Sequence, residues 1–119
     1  MMQKFRVLNL SKSRAILEEA ELCGTFGRRL RGLLGRKLLP PGKGIIIKPC
    51  RSVHTVGMAF PIDVVFVDGK GRICRMVENL KPNKISSGAK SACFVIEAPA
   101  GTLSLTQTAV GDRIKLEGI

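Results

Sequence analysis

The segment Pro61-Ile62-Asp63-Val64-Val65-Phe66-Val67-Asp68-Gly69-Lys70-Gly71-Arg72-Ile73-Cys74-Arg75-Met76-Val77 holds two apolar runs hinged at Asp68-Gly69. Asp-Gly between such runs is the strongest short-range hairpin signal, because both residues tolerate the positive φ that a tight turn requires. The first run is continuous and β-branched, interrupted only by Asp63, which predicts a strand buried on both faces. The return run places Ile73, Arg75 and Val77 on one face and Cys74 and Met76 on the other.

Working outward, Ile45-Ile46-Ile47 reads as a second strand buried on both faces, ended by Pro49. Cys93 to Ile96 reads as a third, broken by Glu97-Ala98-Pro99-Ala100-Gly101. Lys4 to Leu10 and Arg113 to Leu116 read as strands. Arg14 to Leu22 fits a strand better than a helix, since nine residues have little intrinsic helix stability. Phe26, Leu30, Leu33 and Leu34 fall on one helical face after Thr25, with Gly35 and Pro40-Pro41 as stop signals. Thr102 to Thr108 suits a turn of helix, and Leu80 to Ser91 a long surface loop. These elements predict one domain over residues 1–119. It is mostly β: a compact antiparallel sandwich or barrel of about six to eight short strands with one amphipathic helix at about 26–35.

The chain has 119 residues and a formal charge of +11, with 45% hydrophobic residues and no Trp or Tyr. A chain of this size buries roughly two-thirds of the surface its unfolded form exposes, enough for a core without disulfides or metal. The charge favours polyanions, but five Phe are a poor stacking platform for single-stranded nucleic acid. Cys23, Cys50, Cys74 and Cys93 form no C-x-x-C, and one His is the sole imidazole, so neither a metal nor another cofactor is expected. The charged start lacks the apolar run of a secretory signal, and no window is long enough to span a membrane. A reducing cytoplasm is the expected setting.

Four blocks carry a family resemblance. They are Arg29-Leu30-Arg31-Gly32-Leu33-Leu34-Gly35-Arg36 with Leu39-Pro40-Pro41-Gly42; Ile45 to Thr55; Met58 to Asp68; and Val95-Ile96-Glu97-Ala98-Pro99-Ala100-Gly101 with Gly111-Asp112-Arg113. In this order and spacing the chain resembles the domain of unknown function 192, from about Leu10 to Leu116. The resemblance implies a jelly-roll-like β-sandwich and no established reaction, cofactor or partner. Many members look exported and carry a Phe-Trp-Met arrangement where this chain has His54-Thr55-Val56-Gly57-Met58, so it looks like a cytoplasmic branch without a signal peptide.

Cys50, His54 and Asp63 are the one set with nucleophile, base and orienter types, as in a Cys/His-dependent hydrolase or transferase. An extended loop would hold Cys50 and His54 up to about 13 Å apart, so the set works only if the loop turns back. The alternative is a buried thiol and a hydrogen-bonded histidine. Pro49 to Phe60 is a long connection between two buried strands, a frequent place for function. Cys50, His54, Thr55, Met58 and Asp63 are therefore candidate ligand-binding residues, with Asp63 equally suited to pairing with Arg29 or Arg51 as a structural anchor. Glu97 reads as an edge carboxylate paired with an arginine. Arg28, Arg29, Arg31, Arg36 and Lys37 are candidate polyanion-binding residues, or a solvated basic face. The expectation is non-catalytic binding of a polar or anionic ligand or partner through the 49–63 loop. Nonspecific nucleic-acid binding through the basic surface and Cys/His catalysis are the alternatives.

Overall fold

The computed structural model of the chain describes residues 3–24 and 33–119. Among them run β1 (Lys4–Asn9), β2 (Arg14–Cys23), β3 (Lys43–Ile47), β4 (Ser52–His54), β5 (Ile62–Asp68), β6 (Ile73–Leu80), β7 (Ile85–Ser87), β8 (Ala92–Pro99), α1 (Thr102–Leu105) and β9 (Ile114–Gly118). Seven strands form one sheet in the order β6-β5-β8-β3-β2-β1-β9, and β4 pairs with β7 in a small second sheet. The mostly β, mostly antiparallel fold expected from sequence is the fold observed.

Three details differ from expectation. β2 and β3 pair in parallel, from Glu19 opposite Lys43 to Cys23 opposite Ile47. The Pro49–Phe60 connection and the Leu80–Ser91 loop each contain a three-residue strand, and these two pair with each other. β8 also runs on through Glu97 to Pro99. It continues because Glu97 and Ala98 are flanked by β5, and Pro99 sits at the last ladder position opposite Ile62, where a missing N–H is tolerated. The helix expected over 26–35 falls mostly outside the described residues. The end of that segment shows Leu33 buried and Gly35 at φ 85°, with the Arg36 amide bonded to the Leu33 carbonyl. The helix that is described, α1, falls within the Thr102–Thr108 turn.

The large sheet curls until its edges touch. The Ile73 amide donates to the Asp112 carbonyl at 2.9 Å and the Ile114 amide to the Gly71 carbonyl at 2.7 Å. The inner face buries Val7, Leu17, Ala20, Ile46, Val65, Val67, Ile73, Ile96 and Leu103 together. The outer face of β3, β8 and β5 buries Ile45, Ile47, Val64, Phe66 and Val95 beneath Val53 of β4, Leu33 and Leu39. Both faces of β5 are thus covered, which is the physical reason its sequence is a nearly unbroken apolar run. Among the described residues no helix is long and apolar enough to cross a membrane.

Gly44 marks a close approach in this packing. A Cβ there would collide with the Glu97 carbonyl oxygen and lie 2.5 Å from Leu17 Cδ1. Gly44→Ala is expected to cost about 2–3 kcal/mol through overpacking. Urea unfolding followed by far-UV circular dichroism measures this, since the chain has no Trp.

Candidate functional site

Asp63 follows Ile62 at the start of β5 and points to the inner face, fully buried. Opposite it β6 bulges: Ile62 pairs with Leu80 and Val64 with Val77, which leaves Glu78 and Asn79 facing one residue. Asn79 takes φ 52° and turns its amide onto the carboxylate at 2.8 Å. The amides of Gly101 and Leu103 reach the other oxygen at 3.1 and 2.9 Å. Asp63 therefore ties the bulge to the start of α1. Its partners are three backbone amides rather than Arg51, and Arg29 lies outside the described residues.

Thr55 is equally committed. It is fully buried, its amide donates to the Lys84 carbonyl, and its own carbonyl accepts from Met58 and Asn83. Its hydroxyl donates to the Lys81 carbonyl and accepts from the Lys84 amide at 2.9 Å. This one residue welds the 49–61 connection to the 81–84 loop. His54 is exposed on β4, opposite Ile85. The half-buried Cys50 donates its thiol to the Ser52 carbonyl at 2.9 Å and its amide to the Cys93 carbonyl at 3.0 Å. Both oxygens of Asp63 are taken on the inner face, so this carboxylate does not orient His54 and no Cys-His-Asp relay forms. All four cysteines are thiols. Among the described residues no group of three His, Cys, Asp or Glu could hold a metal ion.

Met58 and Phe60 are half-buried and pack, with Cys50, against the outer face of the sheet. That face carries a group whose setting the sequence does not reveal. Glu97 lies on β8, a central strand, between Ile45 of β3 and Val64 of β5, and is 4% exposed. Among the described residues it has neither a hydrogen bond nor an ion pair. The basic side chains placed by ion pairs on this side serve other acids: Lys43 reaches Glu19 at 2.6 Å and Arg36 reaches Glu21 at 3.4 Å. Glu21 is the ladder partner of Ile45, two strand spacings from Glu97, or about 10 Å. Burial without a compensating charge pushes the Glu97 carboxyl up to about 7. The expected arginine-paired edge carboxylate is thus a buried one within the sheet. Its signal in the sequence is a lone acid inside the apolar run Phe94-Val95-Ile96-Glu97-Ala98.

Of the basic candidates, Arg28, Arg29 and Arg31 lie outside the described residues, Arg36 is paired as above and Lys37 is exposed.

The two acids respond differently to substitution. Asp63→Ala orphans three amides at once and should destabilise the fold by about 3–5 kcal/mol, read by urea unfolding. Folding favours the protonated form of Glu97, so this residue's contribution is fully present below 4.5 and is lost as pH rises through about 7. Glu97→Gln should remove that slope and be the more stable protein at pH 8, by on the order of 3 kcal/mol at most. Paired melts of the two proteins from pH 4 to 8 check it.

Two solved structures share this architecture, and sequence relatives match the chain over most of their length. A UPF0127 protein of Pyrococcus furiosus is 29% identical, over 92% of this chain and 96% of its own. One of Pyrococcus horikoshii is 31% identical over the same shares. A crystal structure from Sinorhizobium meliloti 1021, described as a candidate transcription regulator, superposes with a TM-score of 0.84 at 24% identity, over 98% of this chain and 94% of that one. A protein of unknown function from Novosphingobium aromaticivorans gives 0.82 at 21%, over 96% and 84%. The model of the DUF192 family, described as "Uncharacterized ACR, COG1430", matches residues 7–116. A match over nearly the whole length, with a relative above 30% identity, makes the chain a member of the DUF192 family.

Proposed function

We propose that the domain is a non-catalytic binding module whose ligand seat lies between the 49–61 connection and the outer face of the sheet, with Glu97 as its recognition group. One observation carries this reading. Of the buried acids, Asp63 and Asp112 are saturated with donors, whereas Glu97 has none among the described residues. A largely buried carboxyl without a donor costs stability, and such perturbed acids cluster where proteins meet ligands. Cys50, Met58 and Phe60 supply a soft, partly apolar wall from the overlying connection. Thr55 and Asp63 hold the connection and the strand in place. Their role is support, and His54 faces solvent.

The carboxylate narrows the ligand class. It repels an anion and accepts hydrogen bonds from a donor, so a small polar ligand with an amino or amide group fits better than an anionic one. Cys/His catalysis is not favoured, because Cys50 and Asp63 have hydrogen-bond partners other than His54, which is exposed on β4. A reducing cytoplasm suits four thiols.

Native mass spectrometry of freshly purified protein tests the reading. A small adduct is expected on the natural chain and absent from Glu97→Gln, with both proteins folded by circular dichroism. No adduct on the natural chain, or one retained by the variant, refutes it. A Glu97 carboxyl titrating below pH 5 would also refute it, because the group would then already be paired.

A further inference from the structure

A second polar cluster lies where the two edges of the sheet meet, away from the Glu97 face. Arg72 and Arg113 are direct antiparallel partners there. The flanking amides make the bonds: Ile73 to the Asp112 carbonyl and Ile114 to the Gly71 carbonyl. The two arginines are therefore a narrow, non-hydrogen-bonded pair, whose Cβ atoms stand about 4.5–5.5 Å apart on the same side of the sheet. Ile73 and Ile114 turn inward to the core, so both arginines turn outward, and both are exposed. Lys115, the next outward residue of β9, and Lys70 of the adjoining turn are exposed as well.

The neighbouring acids offset this cluster only in part, with Asp68 feeling the charges of Lys70 and Arg72. The Asp68 carboxylate accepts the Lys70 and Arg72 amides at 2.9 and 3.0 Å, and the Arg72 amide is the main reason its carboxyl is held low. Asp112 is pulled up by burial, but the donors Asn9, Lys12 and the Ala109 amide together hold it low. Among the described residues neither arginine makes an ion pair. Arg72 Nη1 reaches the Gly111 carbonyl at 3.4 Å. Like charges directly opposite each other destabilise a strand pair. An oxyanion between them reverses that, since two guanidinium forks match the geometry of a phosphate.

We propose that Arg72 and Arg113 form a seat for a phosphate group, supported by Lys70 and Lys115. With no Trp or Tyr in the chain, the seat reads phosphate oxygens and no stacked base. The phosphate belongs either to a free phosphorylated small molecule or to a nucleic-acid backbone, and the experiment separates them.

The full chain, labelled with 15N, is titrated at about 50 mM salt with inorganic pyrophosphate and, separately, with single-stranded oligothymidine. Shifts are expected at residues 69–73 and 111–115. The double variant Arg72→Gln/Arg113→Gln should weaken binding about tenfold or more, with the fold intact by circular dichroism. Localised shifts with pyrophosphate and none with oligothymidine support a free phosphate as the source. Tighter oligothymidine binding supports a backbone, if its logarithmic salt slope falls by about 0.7 for each arginine–phosphate pairing that the variant removes. Absence of localised shifts with both anions, or binding equal in the double variant, overturns the proposal.

Discussion

A carboxylate sealed from water must find donors, and Asp63 finds three backbone amides. Two of them come from residues with left-handed backbone, Asn79 and Gly101. A β-bulge and the first turn of a helix are the places where backbone N–H groups lack regular partners. One side chain satisfies both and so fixes where β6 widens and where the chain turns after β8. The strand that carries it, β5, is central to the sheet and begins where the 49–61 connection ends. The placement of that connection over the outer face thus depends on how Asp63 seats β5.

The three buried acids share similar burial and differ in their partners. Asp63 is held by amides, and Asp112 by an asparagine, a lysine and an amide. Glu97 faces Ile45 and Val64. Desolvation alone therefore governs its protonation, while the two aspartates accept hydrogen bonds that tie the fold together. The same sorting applies to the cations. Arg6, Lys12, Arg36 and Lys43 are absorbed by Glu18, Asp112, Glu21 and Glu19. Arg72 and Arg113 are set against each other where the sheet closes.

Much of the fold is legible in local pattern. The Asp68-Gly69 hairpin, the Ile45–Ile47 run and the two terminal strands depend on period-two burial and turn chemistry, which act between near neighbours. The candidate site is legible only in part. The 49–63 segment stands out in the sequence as an unusually long connection, but the roles within it do not. Thr55 bonds to residues 26 and 29 positions away, and Asp63 to residues up to 40 away. No local pattern encodes such partners. Glu97 is visible as an interruption of an apolar run, yet its expected edge position is wrong, because sequence does not say whether a strand is central or at an edge.

The amino-acid order by itself determined that this chain is a small, mostly β domain of a recognisable family, since alternation, glycine turns and β-branched runs are local physics. Strand order decided the rest: the parallel β2–β3 pair, the curl that brings Arg72 to Arg113, and the central position of Glu97. Those depend on which distant segments lie side by side. Whether a buried acid is a structural tie or an open group is a matter of the donors within about 3 Å of it, and only the folded chain supplies them.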